Sequence, residues 1–149
     1  MECAVGGDPE AQVIIPGIKT DMFEMSLSVA TGNMKSVDVK TDRKSRVVVA
    51  GVSRGYPGDY SAVKGKQVFG LENAMNLNGV EIYGAGIRAE GGKYYANGGR
   101  LFYIVGEGDN VIEAKSKAYS AMSLVSIEGD NLHYRKNIGW RDVARLRRS

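Results

Sequence analysis

Apolar residues recur along this chain in two distinct patterns, and the change between them divides it. The first residues, Met1 to Gly7, are small and apolar, with two glycines. Asp8-Pro9-Glu10 is a helix-start signal: Asp8 caps free backbone N–H groups, and Pro9 fits a first turn where its missing N–H costs nothing. This helix is expected from Pro9 to about Ile15 and is disturbed by Pro16. A second helical pattern opens at Asp21, carries Met22, Met25, Leu27, Val29 and Ala30, and stops at Gly32 and Asn33. The stretch from Lys35 to Ser45 is polar and charged apart from a short alternation at Val37 and Val39. It reads as a connection and a domain boundary.

Beyond it the chain reads as strands. Arg46 to Val52, with three consecutive valines, is a buried-strand candidate. Residues 53–60 form a loop punctuated by glycine and proline. Short strands are expected at Lys66–Gly70, Val80–Arg88 and Lys93–Ala96. A longer one, rich in β-formers, is expected at Arg100–Gly106. Gly91-Gly92 and Asn97-Gly98-Gly99 supply turns, so the strands read as an antiparallel meander. Tyr94, Tyr95, Phe102 and Tyr103 are expected as core or cross-strand residues of that sheet. The strongest helix pattern covers Val111 to Val125, with Asn110 as N-cap and Glu113 placed as in a capping box. Val111, Ala114, Ala118, Ala121, Met122 and Val125 recur at helical spacing and would face the sheet. Ile127 to Leu132 is a loop or short strand, and Trp140 to Arg147 a terminal helix. The fold class is α+β: two N-terminal helices, then an antiparallel sheet or open barrel of short strands with packing helices.

Composition narrows the functions. The formal charge is +3, and Arg141, Arg145, Arg147 and Arg148 crowd the end of the chain. No stacking aromatics are interleaved with them, which argues against a nucleic-acid partner. Cys3 is the single cysteine, so no internal disulfide forms, and with His133 as the single histidine a Cys–His metal site lacks ligands. Both residues read as structural. No apolar run approaches the roughly 20 residues that cross a bilayer, and the N-terminus lacks a signal-peptide pattern. The reading is a soluble cytoplasmic protein with no membrane partner.

Three glycine-containing loops could carry chemistry: residues 6–10, residues 55–60 and Asn97-Gly98-Gly99-Arg100. Such loops let backbone N–H groups approach an anion, and Arg100 could pair with a phosphate or carboxylate through its forked donors. They could equally be hairpin turns, with Arg100 merely opening a strand. No P-loop lysine, zinc spacing or Ser/His/Asp set appears. Residue chemistry alone does not name a reaction, and no catalytic residue is assigned.

At these same loops the chain resembles the phosphoribosylamine–glycine ligases. Gly7-Asp8-Pro9-Glu10, with Gln12-Val13 and Pro16, is similar to that family's Gly-Asp-Pro-Glu signature. Gly55-Tyr56-Pro57-Gly58-Asp59-Tyr60 resembles its Gly-Tyr-Pro-Gly-Asp-Tyr segment, followed by Gly65 and Gly70. Gly84-Ala85-Gly86 is similar to its His-Ala-Gly strand. Asn97-Gly98-Gly99-Arg100 resembles its Thr-Asn-Gly-Gly-Arg turn, with Ala96 in place of Thr, and Ala114, Ala118 and Tyr119 fit the following helix. Residues 134–141 resemble its Arg-Lys-Asp-Ile-Gly-Trp-Arg ending. The motifs occur in order over essentially the whole chain.

The resemblance implies an ATP-grasp ligase that joins glycine to phosphoribosylamine through an acyl phosphate, with ATP and Mg2+ as cofactors of the complete enzyme and none in this chain. It implies that residues 1–44 end an ATP-grasp domain and residues 45–149 form the ligase C-terminal domain. The remaining N-terminal and ATP-grasp domains would be its partners, in cis or trans, with self-association as another way to cover an exposed face. Asn97, Gly98, Arg100, Tyr56 and Pro57 become the substrate-contact candidates, and Gly7, Asp8, Pro9 and Glu10 the signature near the metal. Arg135 and Lys136 read as domain-packing or surface charges.

The chain also departs from the family. The Glu, Asn and Arg that precede the signature correspond to Met1, Cys3 and Val5, with Glu2 in register only if one residue is lost. Cys and Val cannot replace oxygen ligands for Mg2+. Arg54 stands where a small residue is usual. The expectation is no ligase activity from this polypeptide alone, with a fragment, a split product and a degenerate remnant all open.

Overall fold

The valine run and the β-rich segment after Arg100 pair with each other. β1 (Ser45–Ser53) and β6 (Arg100–Gly108) are antiparallel over nearly their whole lengths. β3 (Val80–Gly84) lies on the far side of β6, and β8 (Leu132–His133) joins the end of β1, giving the order β3–β6–β1–β8. A second antiparallel sheet has β2 (Gln67–Phe69), β4 (Ile87–Glu90), β5 (Lys93–Ala96) and β7 (Ser126–Ile127) in the order β4–β5–β2–β7. The helices are α1 (Ala11–Ile14), α2 (Met22–Ala30), α3 (Leu71–Met75), α4 (Val111–Ser123) and α5 (Trp140–Leu146). The α+β class expected from the sequence is what this computed structural model shows. It describes residues 7–146, so the expectations that fall on Met1, Glu2, Cys3, Val5, Arg147 and Arg148 lie outside the described residues.

α4 forms as its pattern requires. The Asn110 side chain accepts hydrogen bonds from the Ile112 and Glu113 N–H groups, both at 3.0 Å. The Glu113 carboxylate turns back to accept from the Asp109 N–H at 2.8 Å, one residue earlier than a standard capping box reaches. Ala114, Ala118, Ala121 and Met122 are fully buried, and the helix packs on β1 and β6. α2 is likewise capped by Asp21, which accepts from Phe23 N at 2.7 Å and Glu24 N at 3.0 Å.

Three expectations need correction. The strands are not a meander, because among the described residues β4–β5 is the sole pair of consecutive strands that hydrogen-bond to each other. The continuous strand expected over Val80–Arg88 is two strands in different sheets. Its break has a steric cause: a Cβ on Gly86 would lie 2.6 Å from the Arg100 carbonyl oxygen and 2.8 Å from Gly98 Cα. The third correction is Asp8, which caps no helix. Glu10 holds the N-cap position of α1 without a side-chain bond, and the Asp8 carboxylate is engaged elsewhere. The short helix α3 follows Gly70, which has φ 84°.

Residues 18–44 fold back as an arm. Lys19 N donates to Lys40 O at 2.9 Å, and the Thr20 hydroxyl donates to Asp38 O at 2.9 Å. The arm is pinned to the first sheet by Arg46, whose guanidinium bonds both Asp42 and Glu107, with Lys19 Nζ 3.3 Å from Asp42. The Arg46 hydrogen bond and then the Lys44 backbone N–H hold the Asp42 carboxyl well below the usual carboxylate range. Asp109 and Glu113 are lowered as well, chiefly by Lys44 and Lys117 respectively. The folded state therefore takes up these protons at lower pH than the unfolded chain does. Their stabilisation is complete above about pH 6, where unfolded carboxylates are ionised, and fades as pH falls toward the folded values. Thermal melts should show a melting temperature at pH 3 several degrees below that at pH 7. An unchanged melting temperature would contradict this account of the ion cluster.

Candidate functional site

One face of β1 carries Val48, Ala50 and Val52, and the opposite face lies under α4. The residues paired with Ala50 and Val52 are Tyr103 and Arg100. Three residues apart on a regular strand, these two would point to opposite faces. A register shift brings them together: Gly51 pairs with Phe102 but Val52 pairs with Arg100, so Leu101 is an extra residue and the alternation flips. The bulge is compatible with tight packing beneath it, where the Phe102 ring fills the space a Cβ on Gly51 would need, 2.4 Å away.

Above this face lies a cavity of about 550 Å3. Val48, Ala50, Val52 and Ile138 give it apolar walls, with Pro9 and Pro57 at its edge. Tyr56, Arg100, Tyr103 and Arg135 bring polar groups to it.

Arg100 is the centre of the polar cluster. Its Nε donates to the Tyr56 hydroxyl at 2.7 Å, and its Nη1 donates to Asp8 Oδ2 at 2.9 Å and to the Asp8 carbonyl at 3.1 Å. The guanidinium also sits over the Tyr56 ring, 5.7 Å from its centroid. Tyr103 donates its hydroxyl to the same Asp8 Oδ2 at 2.6 Å. The bond to Tyr56 is the main cause that raises the Arg100 pKa, so this group is cationic at every accessible pH. Burial, then the Asp8 carboxylate, raises the Tyr103 pKa, which keeps its hydroxyl a donor. Asp8 and Arg100 remain 50% and 41% exposed, so the pair is open to a ligand. Chemically the cluster is a fixed cation beside a fixed carboxylate, at the mouth of an apolar pocket.

The fold thus brings Asp8, Pro9, Tyr56, Pro57 and Arg100 together from three separated loops. Asn97 and Gly98 do not line the cavity. The Asn97 N–H bonds the Gly86 carbonyl at 2.7 Å, and the Gly98 carbonyl accepts from the Ser53 hydroxyl at 2.8 Å. Their turn is shaped by packing: a Cβ on Gly99 would lie 2.3 Å from the Tyr56 ring. Gly7 and Glu10 act through the backbone, with Ala11 N bonding the Gly7 carbonyl at 3.0 Å and Ile14 N the Glu10 carbonyl at 3.1 Å. The sequence reading missed Tyr103, Tyr134 and Arg135 as cavity residues and took His133 as structural, whereas His133 both pairs with Val52 and lines the wall. Lys136 is exposed and outside this cavity. Arg54 reaches away from it, to Asp130 at 2.7 Å.

Residues 46–141 match the family described as "Phosphoribosylglycinamide synthetase, C domain". The chain belongs to that family. Among curated relatives, the phosphoribosylamine–glycine ligase of Caldanaerobacter subterraneus subsp. tengcongensis is 39% identical over 132 residues, covering 89% of this chain and 30% of the ligase. The trifunctional purine biosynthetic protein adenosine-3 of Bos taurus is 38% identical over 141 residues, which is 94% of this chain and 14% of that protein. The solved phosphoribosylamine–glycine ligase of Thermotoga maritima superposes with a TM-score of 0.62 at 29% identity, over 85% of this chain and 30% of its own. The chain therefore spans a third or less of these relatives and corresponds to the C-terminal part of the ligase.

Among the described residues of this synthetase C domain, no group of three or more His, Cys, Asp or Glu side chains could hold a metal ion. No described helix is long and apolar enough to cross a membrane.

Proposed function

We propose that this chain is the acceptor side of a phosphoribosylamine–glycine ligase, with the Arg100 pocket seating the sugar phosphate. The observation that carries the reading is the convergence of three ligase-like loops on one guanidinium, held by Tyr56 and by Asp8, which lies 92 residues away in sequence. Residues 45–149 are the C-terminal domain, and residues 1–44 end an ATP-grasp domain. ATP and Mg2+ belong to lobes outside this chain, and no chemical step is assigned to its own residues. Their work is to bind and orient: Arg100 fixes an anion, Tyr56 and Pro57 bound it, and the apolar walls keep water from it. As a purine-synthesis ligase part, it would work in the cytoplasm.

A second feature supports the missing lobes as partners. Ile14, Ile15, Met22, Phe23, Leu27, Val29 and Met34 are all more than 40% exposed. All lie before residue 46, where the match to the C domain begins. With Val39, eight of the fourteen exposed large hydrophobics among the described residues precede that point, and this concentration suits burial by the rest of the ligase.

Calorimetric titration of the chain with ribose 5-phosphate tests the pocket. Saturable binding at one site, competed by inorganic phosphate, is the expected result. Absence of heat, together with unshifted NMR signals for Arg100 and Tyr103, would sink the reading.

A further inference from the structure

We infer that Tyr119 is a positioning residue for the Arg100 pocket: it holds the wall formed by residues 134–138 from behind, without touching the ligand. The inference rests on the reading of the pocket as a sugar-phosphate site and extends it to a side chain outside the cavity. Tyr134, Arg135 and Ile138 line that cavity, yet they belong to no strand or helix. They lie between the end of β8 at His133 and the start of α5 at Trp140. Tyr119 stands on the other side of this segment, where it lines an open groove with Lys115 and Lys136.

The anchor is a single oxygen atom. The Tyr119 hydroxyl donates to the Arg135 carbonyl at 2.6 Å and accepts from the Ile138 N–H at 3.1 Å. A phenol hydroxyl can do both at once, having one hydrogen to give and free lone pairs. Among the described residues, these are the two hydrogen bonds that tie the segment to α4. The Tyr134 ring packs against the Tyr119 ring, with centroids 6.3 Å apart and planes at 50°. The other end of the anchor is firm, because Tyr119 follows the fully buried Ala118 on α4. Removing the hydroxyl alone would leave the ring and its packing but strip two backbone groups of their partner. The wall would then open and close, and a ligand that needs it closed would have to order it on binding.

Tyr119→Phe tests this. The variant should bind ribose 5-phosphate about threefold to tenfold more weakly, the worth of one net hydrogen bond. Hydrogen exchange followed by NMR should show the Ile138 amide exchanging faster while the amides of α4 keep their rates. In the unaltered chain, saturating ribose 5-phosphate should slow Ile138 exchange about threefold or more, because the ligand favours the held wall. A hydroxyl that served stability alone would show no such coupling. Ile138 exchange unmoved by bound ligand overturns the inference and leaves the pocket reading standing, and this measurement does not depend on the variant folding. Unchanged affinity in Tyr119→Phe also overturns it, as does faster exchange throughout α4, which would make the residue a support of the helix. Failure of the unaltered chain to bind ribose 5-phosphate removes the inference and the reading together.

Discussion

Gly106→Ala should cost the domain about 3 kcal/mol or more. Gly106 lies toward the C-terminal end of β6, under α4. A Cβ there would sit 2.1 Å from the Ala114 carbonyl oxygen and 2.5 Å from the Ala118 nitrogen, both backbone atoms of that helix. No side chain can rotate away, so the helix must lift by about an ångström or more. Its sheet-facing side consists of Ala114, Ala118, Ala121 and Met122, all fully buried, and a rigid lift would open gaps along that whole row. Thermal and urea melts should show the melting temperature falling by roughly 6–12 °C. Gly91→Ala is the comparison: its φ is 57°, but nothing lies within 4 Å of the added carbon, so about 1 kcal/mol of backbone strain is all that is expected. Equal losses at the two positions would show that α4 is not seated as described.

Arg100→Ala should weaken ribose 5-phosphate binding tenfold or more while barely moving the melting temperature. The Arg100–Asp8 pair is about half exposed, and exposed pairs contribute roughly 0–1 kcal/mol to stability. Its value to a ligand is larger, because a charge-assisted bond to phosphate from a fixed donor is worth about 1.5–3 kcal/mol, a loss of tenfold or more in affinity. Arg100→Lys separates charge from geometry. A lysine keeps the cation but loses the planar fork that serves Tyr56 through Nε and Asp8 through Nη1, so the expected affinity falls between the two. Unchanged binding in Arg100→Ala would place the ligand elsewhere. Lost binding with a collapsed melting temperature would make the residue structural.

Local signals made the elements legible. Asn110 and Asp21 cap their helices because a short polar side chain before an apolar period has one obvious use. The valine run and the residues after Arg100 have the composition of buried strands, and they are the two longest strands of the fold. What the sequence concealed depends on distant atoms. Gly86 breaks a strand because Arg100 and Gly98 press against it, and nothing in the residues around Gly86 encodes that contact. Asp8 precedes a proline as a cap would, yet its carboxylate finds Arg100 and Tyr103, more than 90 residues away.

The site was half legible for the same reason. The glycine-rich loops advertised Tyr56, Pro57 and Arg100 through their resemblance to ligase motifs. Tyr103 was hidden by the bulge at Leu101, since strict alternation puts it on the wrong face. Asn97 and Gly98 looked like ligand contacts, and the structure uses them to shape the turn behind Arg100.

The most direct measurement combines this chain with the Caldanaerobacter ligase truncated to remove the matching C-terminal part, and follows ADP release in the presence of glycine and phosphoribosylamine. The account predicts ADP release only when both polypeptides and both substrates are present, and its loss with Arg100→Ala. No ADP release at any ratio of the two chains, together with no complex between them in analytical ultracentrifugation, would contradict it.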